Sequence, residues 1–351
     1  MNNFGLYIHW PYCLNKCPYC DFASVRFCGK EDLLKAGYMR DIKQAPNGCL
    51  TSIYFGGGTP SLMSPQFFDF LMNEIHKKWS VDPKAEITLE ANPGAVNKEK
   101  MLHFRSGGVN RLSIGVQSLR DKNLKFLGRI HDVKTALDCI QMAQDIFPRM
   151  NMDLIYGLPH QSQTAWAQEL NEALKLGLKH YSLYQLTIEE GTSFYHHKQR
   201  GCSDFQGRRL YQLTDERMNE AGIPAYEVSN YAVPGEESRH NMLYWTGKDY
   251  IGIGPSASGR VLGQATQNAR SVGEWLRTST IYEKLTLEQI RLEHLLMGLR
   301  LRKAFYPVSE LNTKGIQQAL QKGWIEQHSQ GIRPTLQGVL MLNQLILLLS
   351  P

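Results

Sequence analysis

Cys13-Leu14-Asn15-Lys16-Cys17-Pro18-Tyr19-Cys20 carries three cysteines at C-x3-C-x2-C spacing, directly after the short apolar run Leu6 to Trp10. Three thiols this close in sequence can face one centre, and thiolate ligation selects zinc, copper(I) or iron–sulfur clusters over metals that prefer oxygen. A 4Fe–4S cubane has four irons and full protein ligation takes four cysteines. Three local ligands therefore leave one iron open to an outside molecule. The same spacing suits structural zinc, with His9 as a fourth ligand, and spacing alone leaves zinc and cluster level.

Working outward, the chain of 351 residues exceeds a typical single domain and favours one large barrel-type unit plus a smaller one. Hydrophobic content of 42% supports a core. Net charge is +6, from 39 basic and 33 acidic residues spread without a dense basic run. That balance permits an anionic ligand or membrane surface and does not argue for nucleic acid. Seven cysteines are an odd number in a long chain, and the N-terminus lacks a basic segment followed by an apolar signal core. Both point to a reducing cytoplasm. The last apolar run, Val339 to Leu349, is broken by Asn343 and Gln344, and falls short of the roughly 20 residues that span a bilayer; a buried terminal helix is expected there.

Short apolar strands alternate with amphipathic stretches. Leu6 to His9, Ser52 to Phe55, Ile87 to Leu89, Arg111 to Gly115, Met152 to Ile155 and Tyr181 to Leu186 read as strands. Glu31 to Lys43, Ser64 to Trp79, Asn97 to Arg105, Val133 to Asp145 and Gln163 to Leu176 carry helical periodicity. Such alternation forces a parallel sheet, since each strand is regained by a right-handed crossover. Six units predict an α/β fold of incomplete TIM type, a (β/α)6 partial barrel with its chemistry at the C-terminal strand ends.

Polar residues fall where that geometry wants them. Gly56 to Thr59 follows the second strand, Glu90 ends the third, Gln117 lies just past the fourth, Arg129 is on the loop or helix beyond it, and Asp153 sits inside the fifth. Singly, each has a dull reading as a solvated cap or a turn. Together they would line one rim. Three glycines let backbone approach a ligand closely, and Arg129 can bind a carboxylate in a two-pronged fashion.

The run Tyr7-Ile8-His9-Trp10-Pro11-Tyr12-Cys13, the aromatic Tyr19, and Gly56-Gly57-Gly58-Thr59-Pro60, with Tyr7, Glu90, Gln117, Arg129 and Asp153, resemble the radical S-adenosylmethionine (SAM) superfamily and, within it, the coproporphyrinogen dehydrogenase-like (HemN-like) family. The resemblance runs from Leu6 to the C-terminus. It implies a 4Fe–4S cluster on Cys13, Cys17 and Cys20, with SAM chelating the open iron and cleaved there by the reduced cluster. It also implies that Gly57, Gly58 and Thr59 hold the methionyl amino end, Arg129 the carboxylate, and Glu90 and Gln117 the ribose hydroxyls or amino group. Asp153 and Tyr7 are carried over as further SAM contacts.

The chain departs from the dehydrogenases of that family. They have a further cysteine one residue after the third ligand, whereas here Cys20-Asp21-Phe22 follows, and only twelve residues precede Cys13, leaving no room for their N-terminal arm. Arg239-His240-Asn241-Met242-Leu243-Tyr244-Trp245 carries the H-N-x-x-Y-W pattern of the family's haem-chaperone branch. That resemblance implies haem as a ligand, with His240 as iron ligand and Tyr244 and Trp245 against the macrocycle; on chemistry alone, a capped turn whose rings plug the barrel end is the stronger reading. Tyr250 to Ser258, with Gly252, Gly254 and Gly259, reads as a strand–turn whose glycines admit a ligand or make bends. Cys28, Cys49, Cys139 and Cys202 lack clustered spacing and read as ordinary thiols.

After about Tyr282 the pattern changes. Leu285 to Arg302 reads as a helix with an apolar stripe at Leu292, Leu295, Leu296 and Leu299, and Val308 to Gln321 as another. Gly323 to Glu326 and Ile332 to Pro334 suggest a two-strand wing before the last helix. The expected division is 1–200, a partial barrel with the cluster and SAM; 201–282, an extension carrying the HNxxYW motif; and 283–351, an α+β, winged-helix-like unit used for packing rather than DNA binding. The expected function is a haem chaperone delivering haem to acceptor haem proteins, respiratory or membrane-associated ones among them. Expected, too, is a cytoplasmic protein for which peripheral membrane attachment and homo-oligomers stay open. An oxygen-independent coproporphyrinogen III dehydrogenase and a zinc-stabilised interaction protein are the alternatives.

Overall fold

Five of the six apolar runs lie within longer strands, and the sixth is shifted by one residue, to His180–Gln185. The computed structural model describes residues 2–302, 306–309 and 311–350. Its barrel strands are β1 (Asn3–Trp10), β2 (Cys49–Gly57), β3 (Ser80–Ala91), β4 (Arg111–Gln117), β5 (Arg149–Tyr156) and β6 (His180–Gln185). Between them run α1 (Lys35–Gln44), α2 (Pro65–Lys78), α3 (Lys98–Ser106), α4 (Val133–Ile146) and α5 (Gln163–Leu174). All neighbours from β1 to β6 pair in parallel, as crossover helices require. The helix starts are set locally: Ser64, Asn97, Asp132 and Ser162 each accept the N–H three residues on, a cap that contributes about 1 kcal/mol.

Two extensions lengthen the row. After α6 (Asp204–Glu220), β7 (Asn230–Ala232) adds antiparallel to β6. The chain then passes through the short helix α7 (Arg239–Trp245), and β8 (Tyr250–Ile253) reaches the opposite edge, parallel to β1. An antiparallel meander of β9 (Ser258–Val261), β10 (Gln264–Gln267) and β11 (Ile281–Lys284) follows. The sheet order is β11-β10-β9-β8-β1-β2-β3-β4-β5-β6-β7, with unpaired ends, so the barrel is partial. The strand–turn from Tyr250 therefore supplies one parallel strand beyond the six expected. Two of its glycines let neighbouring strands approach closely: a Cβ on Gly252 would lie 2.2 Å from the Ser258 carbonyl oxygen, and one on Gly259 2.5 Å from Thr266 Oγ1.

Side chains alternate faces along a strand, and the two faces of this sheet differ sharply. Leu112, Ile114 and Val116 of β4, Met150, Met152 and Leu154 of β5, and Tyr181 and Leu183 of β6 are buried in the main core with Phe67, Phe68 and Leu71 of α2. Arg111, Ser113, Gly115 and Gln117, then Asn151, Asp153 and Ile155, then Ser182 and Tyr184, take the other face and line a cavity. The apolar face lies under the helices, and the largely polar one is enclosed by the barrel.

The C-terminal segment builds a second core from Leu295, Leu299, Ala319, Ile325, Ile332, Leu345, Ile346 and Leu349. It comprises α8 (Leu287–Gly298), α9 (Thr313–Gln321), the antiparallel hairpin β12 (Ile325–His328) and β13 (Gly331–Pro334), α10 (Leu336–Leu340) and α11 (Leu342–Leu349). Three expectations change. Leu292 is 45% exposed rather than part of the buried stripe. The helix expected from Val308 starts at Thr313, capped by Asn312, with Glu310 outside the described residues. The terminal helix is split at Met341. Among the described residues no helix is long and apolar enough to cross a membrane.

Candidate functional site

Beyond β1 the chain pairs Tyr12–Cys13 with Val25–Arg26, pinching off the cysteine loop. Backbone bonds clamp its base: Val25 N–H donates to the Pro11 carbonyl and Phe27 N–H to that of Cys13, both at 2.8 Å. Thr59 N–H reaches the Tyr12 carbonyl at 2.8 Å, and Cys20 N–H turns back to the Cys17 carbonyl at 3.1 Å. Cys13, Cys17 and Cys20 all line one cavity of about 410 Å³ at the C-terminal strand ends, and none of the other four cysteines does. Thr59 Oγ1 donates to Cys13 Sγ at 3.5 Å and Arg129 Nη1 to Cys17 Sγ at 3.4 Å. Burial pushes the Cys20 thiol up to about 11, with Cys17 and Cys13 adding to the rise. A cationic centre reverses that balance, because a coordinating thiol is deprotonated outright.

His9 does not join the thiols. Its Nδ1 meets the Tyr7 hydroxyl at 3.0 Å and its Nε2 the Ala23 carbonyl at 2.9 Å, so both nitrogens of the fourth ligand in the zinc reading are occupied. Among the described residues no three His, Cys, Asp or Glu side chains gather tightly enough to hold a single metal ion.

The glycine run has a reason before any ligand is considered. Gly57 has φ +106, and a Cβ there would sit 2.8 Å from the His9 ring; on Gly58 it would come within 2.6 Å of the Tyr12 carbonyl oxygen and 3.1 Å of Cys13 Sγ. Only glycine lets the end of β2 slide beneath the cysteine loop. Gly57, Gly58 and Thr59 then line the cavity beside the thiols.

Glu90, Gln117, Arg129 and Asp153 line the same cavity. Glu90 accepts from the Tyr54 hydroxyl at 2.8 Å, and burial pushes its carboxyl up to about 8. Asp153 accepts from Asn151 Nδ2 at 2.7 Å; burial pushes it to about 6, against the hydrogen bond from Ser182. Gln117 is the last residue of β4 rather than just past it, at a register shift and with φ +73, a conformation that costs a non-glycine residue about 1–3 kcal/mol. Arg129 follows the short helix Asp121–Phe126. Besides Cys17 it donates through Nη2 to the Gly115 carbonyl at 2.8 Å, while its buried Nε has no partner. Tyr7 is not brought to the cavity wall; it packs over Tyr54, ring centroids 6.2 Å apart.

The other end of the barrel is shut by α7. Ser238 caps it, and Glu86 of β3 receives the His240 backbone N–H at 3.1 Å and Arg149 Nη1 at 2.6 Å. His240 is 0% exposed. Its Nδ1 pairs with Ser52 Oγ at 2.7 Å and its Nε2 with the Tyr244 hydroxyl at 2.6 Å, and burial lowers its pKa to about 3, so the ring is neutral. A Cβ on Gly5 would strike Leu243 and lie 3.1 Å from His240 Cε1, so β1 gives way to the helix. In this arrangement the expected haem residues are engaged with one another and with the barrel: both His240 nitrogens are bonded, Tyr244 is one of the partners, and Trp245, stacked under Arg300 at 6.0 Å, keeps a buried indole N–H without a partner. The motif plugs the floor.

Sequence reading missed the cavity's interior residues Tyr54, Arg111, Asn151, Ser182 and Tyr184. For the last four the signal is the period-two polar series on β4, β5 and β6, overshadowed by the apolar alternates that mark the strands; Tyr54, on β2, carries no such signal.

Residues 7–173 match the family model described as the radical SAM superfamily. The chain is 34% identical to the mitochondrial radical S-adenosyl methionine domain-containing protein 1 of Mus musculus, over 99% of this chain and 87% of that one. It is 33% identical to the heme chaperone HemW of Haemophilus influenzae, over 97% and 96%, and 39% identical to that of Escherichia coli, over 73% and 70%. The solved structure of the Escherichia coli coproporphyrinogen III oxidase HemN superposes with a TM-score of 0.84 at 19% identity, covering 99% of this chain and 90% of that one. That likeness concerns the fold.

Proposed function

The chain belongs to the radical SAM superfamily and to the HemN-like family within it, and on that footing we propose that it is a haem chaperone that binds haem and passes it to acceptor haem proteins. The observation that carries this reading is identity of about one third, over nearly the whole of both chains, to a protein named for that role.

Family membership implies a 4Fe–4S cluster and SAM, and the donor set fits them. Three thiols share one wall, a guanidinium with an uncommitted Nε stands beside them, and glycine backbone completes the wall. Cys13, Cys17 and Cys20 are the proposed cluster ligands. Gly57, Gly58, Thr59, Glu90, Gln117, Arg129 and Asp153 are the proposed SAM-facing residues, with Tyr7 supporting them from behind. Bound there, a cluster on Cys13, Cys17 and Cys20 would supply the reducing chemistry that acts on SAM. The protein's part is to orient: Arg129, already held by Gly115, presents a fixed cation to a carboxylate, and Glu90, mostly protonated at neutral pH, donates as well as accepts. The haem ligand is not assigned to His240 while α7 is docked. Dehydrogenase activity is not part of the proposal, since Phe22 stands where those enzymes carry a further cysteine.

The test is anaerobic reconstitution of cluster, followed by haem titration, haem transfer to a haem-free acceptor, and coproporphyrinogen III turnover in parallel. Saturable haem binding, transfer faster than spontaneous dissociation and no protoporphyrinogen are expected. Turnover at the rate of an authentic dehydrogenase, or no haem binding at all, overturns the reading.

A further inference from the structure

Among the described residues, the charged groups enclosed by the barrel have found partners, with one exception. Arg149 pairs with Glu86 at 2.6 Å, Arg129 bonds Gly115 and Cys17, Glu90 takes the Tyr54 hydroxyl, and Asp153 takes Asn151. Arg111, first residue of β4, is 2% exposed and lines the cavity, yet its guanidinium makes no hydrogen bond or ion pair among the described residues. It is not sealed either: none of its nitrogens is among the fully enclosed unpartnered atoms, so what exposure it has faces the cavity. A buried cation without a hydrogen-bonded counter-charge is costly. Glu90 and Asp153 lie close enough to feel its field, but their oxygens are committed elsewhere and do not reach it.

The position is also distinct from that of the other cation. Arg129 is tied to the Gly115 carbonyl, four residues further along β4, and four residues of strand span about 13 Å. A carboxylate held at Arg129 leaves Arg111 unanswered. We infer that Arg111 binds the carboxylate of a second ligand at the inner end of the cavity, with Asn241, Asn230 and Tyr184 as neutral polar neighbours. A planar guanidinium matches a carboxylate two-pronged. The inference does not depend on the haem reading: the carboxylate belongs either to a small free acid or to a propionate arm of haem.

The probe is 3,3,3-trifluoropropionate, followed by fluorine NMR on the cluster-loaded full chain. Binding is expected in the wild type and in Arg129→Gln, retained more weakly in Arg111→Lys, and weakened roughly tenfold or more in Arg111→Gln, the scale of a charge-assisted pair. Equal binding in wild type and Arg111→Gln, or none in wild type, overturns the site. Thermal melts guard against a purely structural role: since there is no bonded partner to lose, Arg111→Gln and Arg111→Met are expected to melt at or above wild type. A marked fall in both assigns Arg111 to balancing Glu90 and Asp153 and also overturns the proposal. A parallel haem titration separates the sources. If haem dimethyl ester and Arg111→Gln each weaken binding and the two losses do not add, the carboxylate is the haem's; full haem affinity in both, with the fluorinated probe still lost, assigns the site to a small acid.

Discussion

At the floor of the barrel Glu86 is fully enclosed and holds Arg149, the Ser238 hydroxyl and the His240 N–H, while His240 spends both ring nitrogens on Ser52 and Tyr244. At the rim Arg129 keeps an unpartnered Nε, Gln117 sits at φ +73, Gly57 at +106, and three thiols face open space. Around Glu86 and His240 the strands thus begin in a paired network, with Arg111 and the Trp245 indole N–H left over beside it, and they end above in an unfinished one. Satisfied polar networks rigidify a core. Strain and unspent donors persist where the surroundings over-determine them, which is common where a ligand completes the set. The proposed cluster and SAM contacts lie at the rim, and the Glu86–His240 network holds the barrel in shape beneath them.

Five outcomes break or sharpen that contrast. The largest is at the rim: Cys13→Ala, Cys17→Ala or Cys20→Ala abolishes cluster assembly by iron and sulfide analysis, whereas Cys139→Ala leaves it intact. A full 4Fe–4S complement in the triple variant, or stoichiometric zinc in the wild type, breaks the assignment. At the floor, Glu86→Ala removes one of the two carboxylates on Arg149, which keeps Glu236 at 2.9 Å, and takes away the acceptor of the His240 N–H, uncoupling α7 from β3; it costs about 1–3 kcal/mol in denaturant melts, while protein that remains folded still loads cluster. An unchanged midpoint would show that the floor network is ornamental.

Next, His240→Ala removes two hydrogen bonds and leaves a hole, a loss of about 2–4 kcal/mol with haem affinity unchanged in the folded protein. A shifted haem spectrum without loss of stability would return His240 to the ligand set. Arg129→Gln does the reverse, weakening SAM roughly tenfold or more in equilibrium binding with little change in melting temperature.

The fifth effect is on pH. Glu90 titrates near 8 in the folded chain and near its ordinary 4.5 when unfolded, so folding takes up a proton between those values, and stability is lost as pH rises through that window. In cofactor-free protein, Glu90→Gln should gain stability over wild type progressively from about pH 5 to pH 8, with no gain near pH 4. A gain independent of pH would place the carboxylate in solvent.

Much of this was legible beforehand because it is local. Helix starts at Ser64, Asn97, Asp132 and Ser162 are written in the capping residue and the next turn. The parallel order of β1 to β6 follows from alternation with helices. Cys13, Cys17, Cys20, Gly57, Gly58, Glu90, Arg129 and Asp153 were placed on one rim by counting to the strand ends, and they share one cavity. Tyr7 lies behind that wall with its hydroxyl bonded to His9 two residues away, a choice fixed by which rings neighbouring strands contribute.

What the sequence by itself determined, then, is the run of strands and helices, the parallel sheet and the clustered thiols, each set by residues within a turn or a strand of one another. Tertiary structure alone decided what the polar alternates and the HNxxYW motif are for. The series Arg111, Ser113, Gly115, Gln117 reads in sequence as the wet face of a half-covered sheet. It becomes a cavity wall only because the sheet curls and the helices cover its apolar side. His240 reads equally as ligand or plug until Ser52, 188 residues away, and Glu86, 154 residues away, close on it. A side chain's role rests on which groups satisfy it, and those partners are brought together by the fold rather than by the neighbouring sequence.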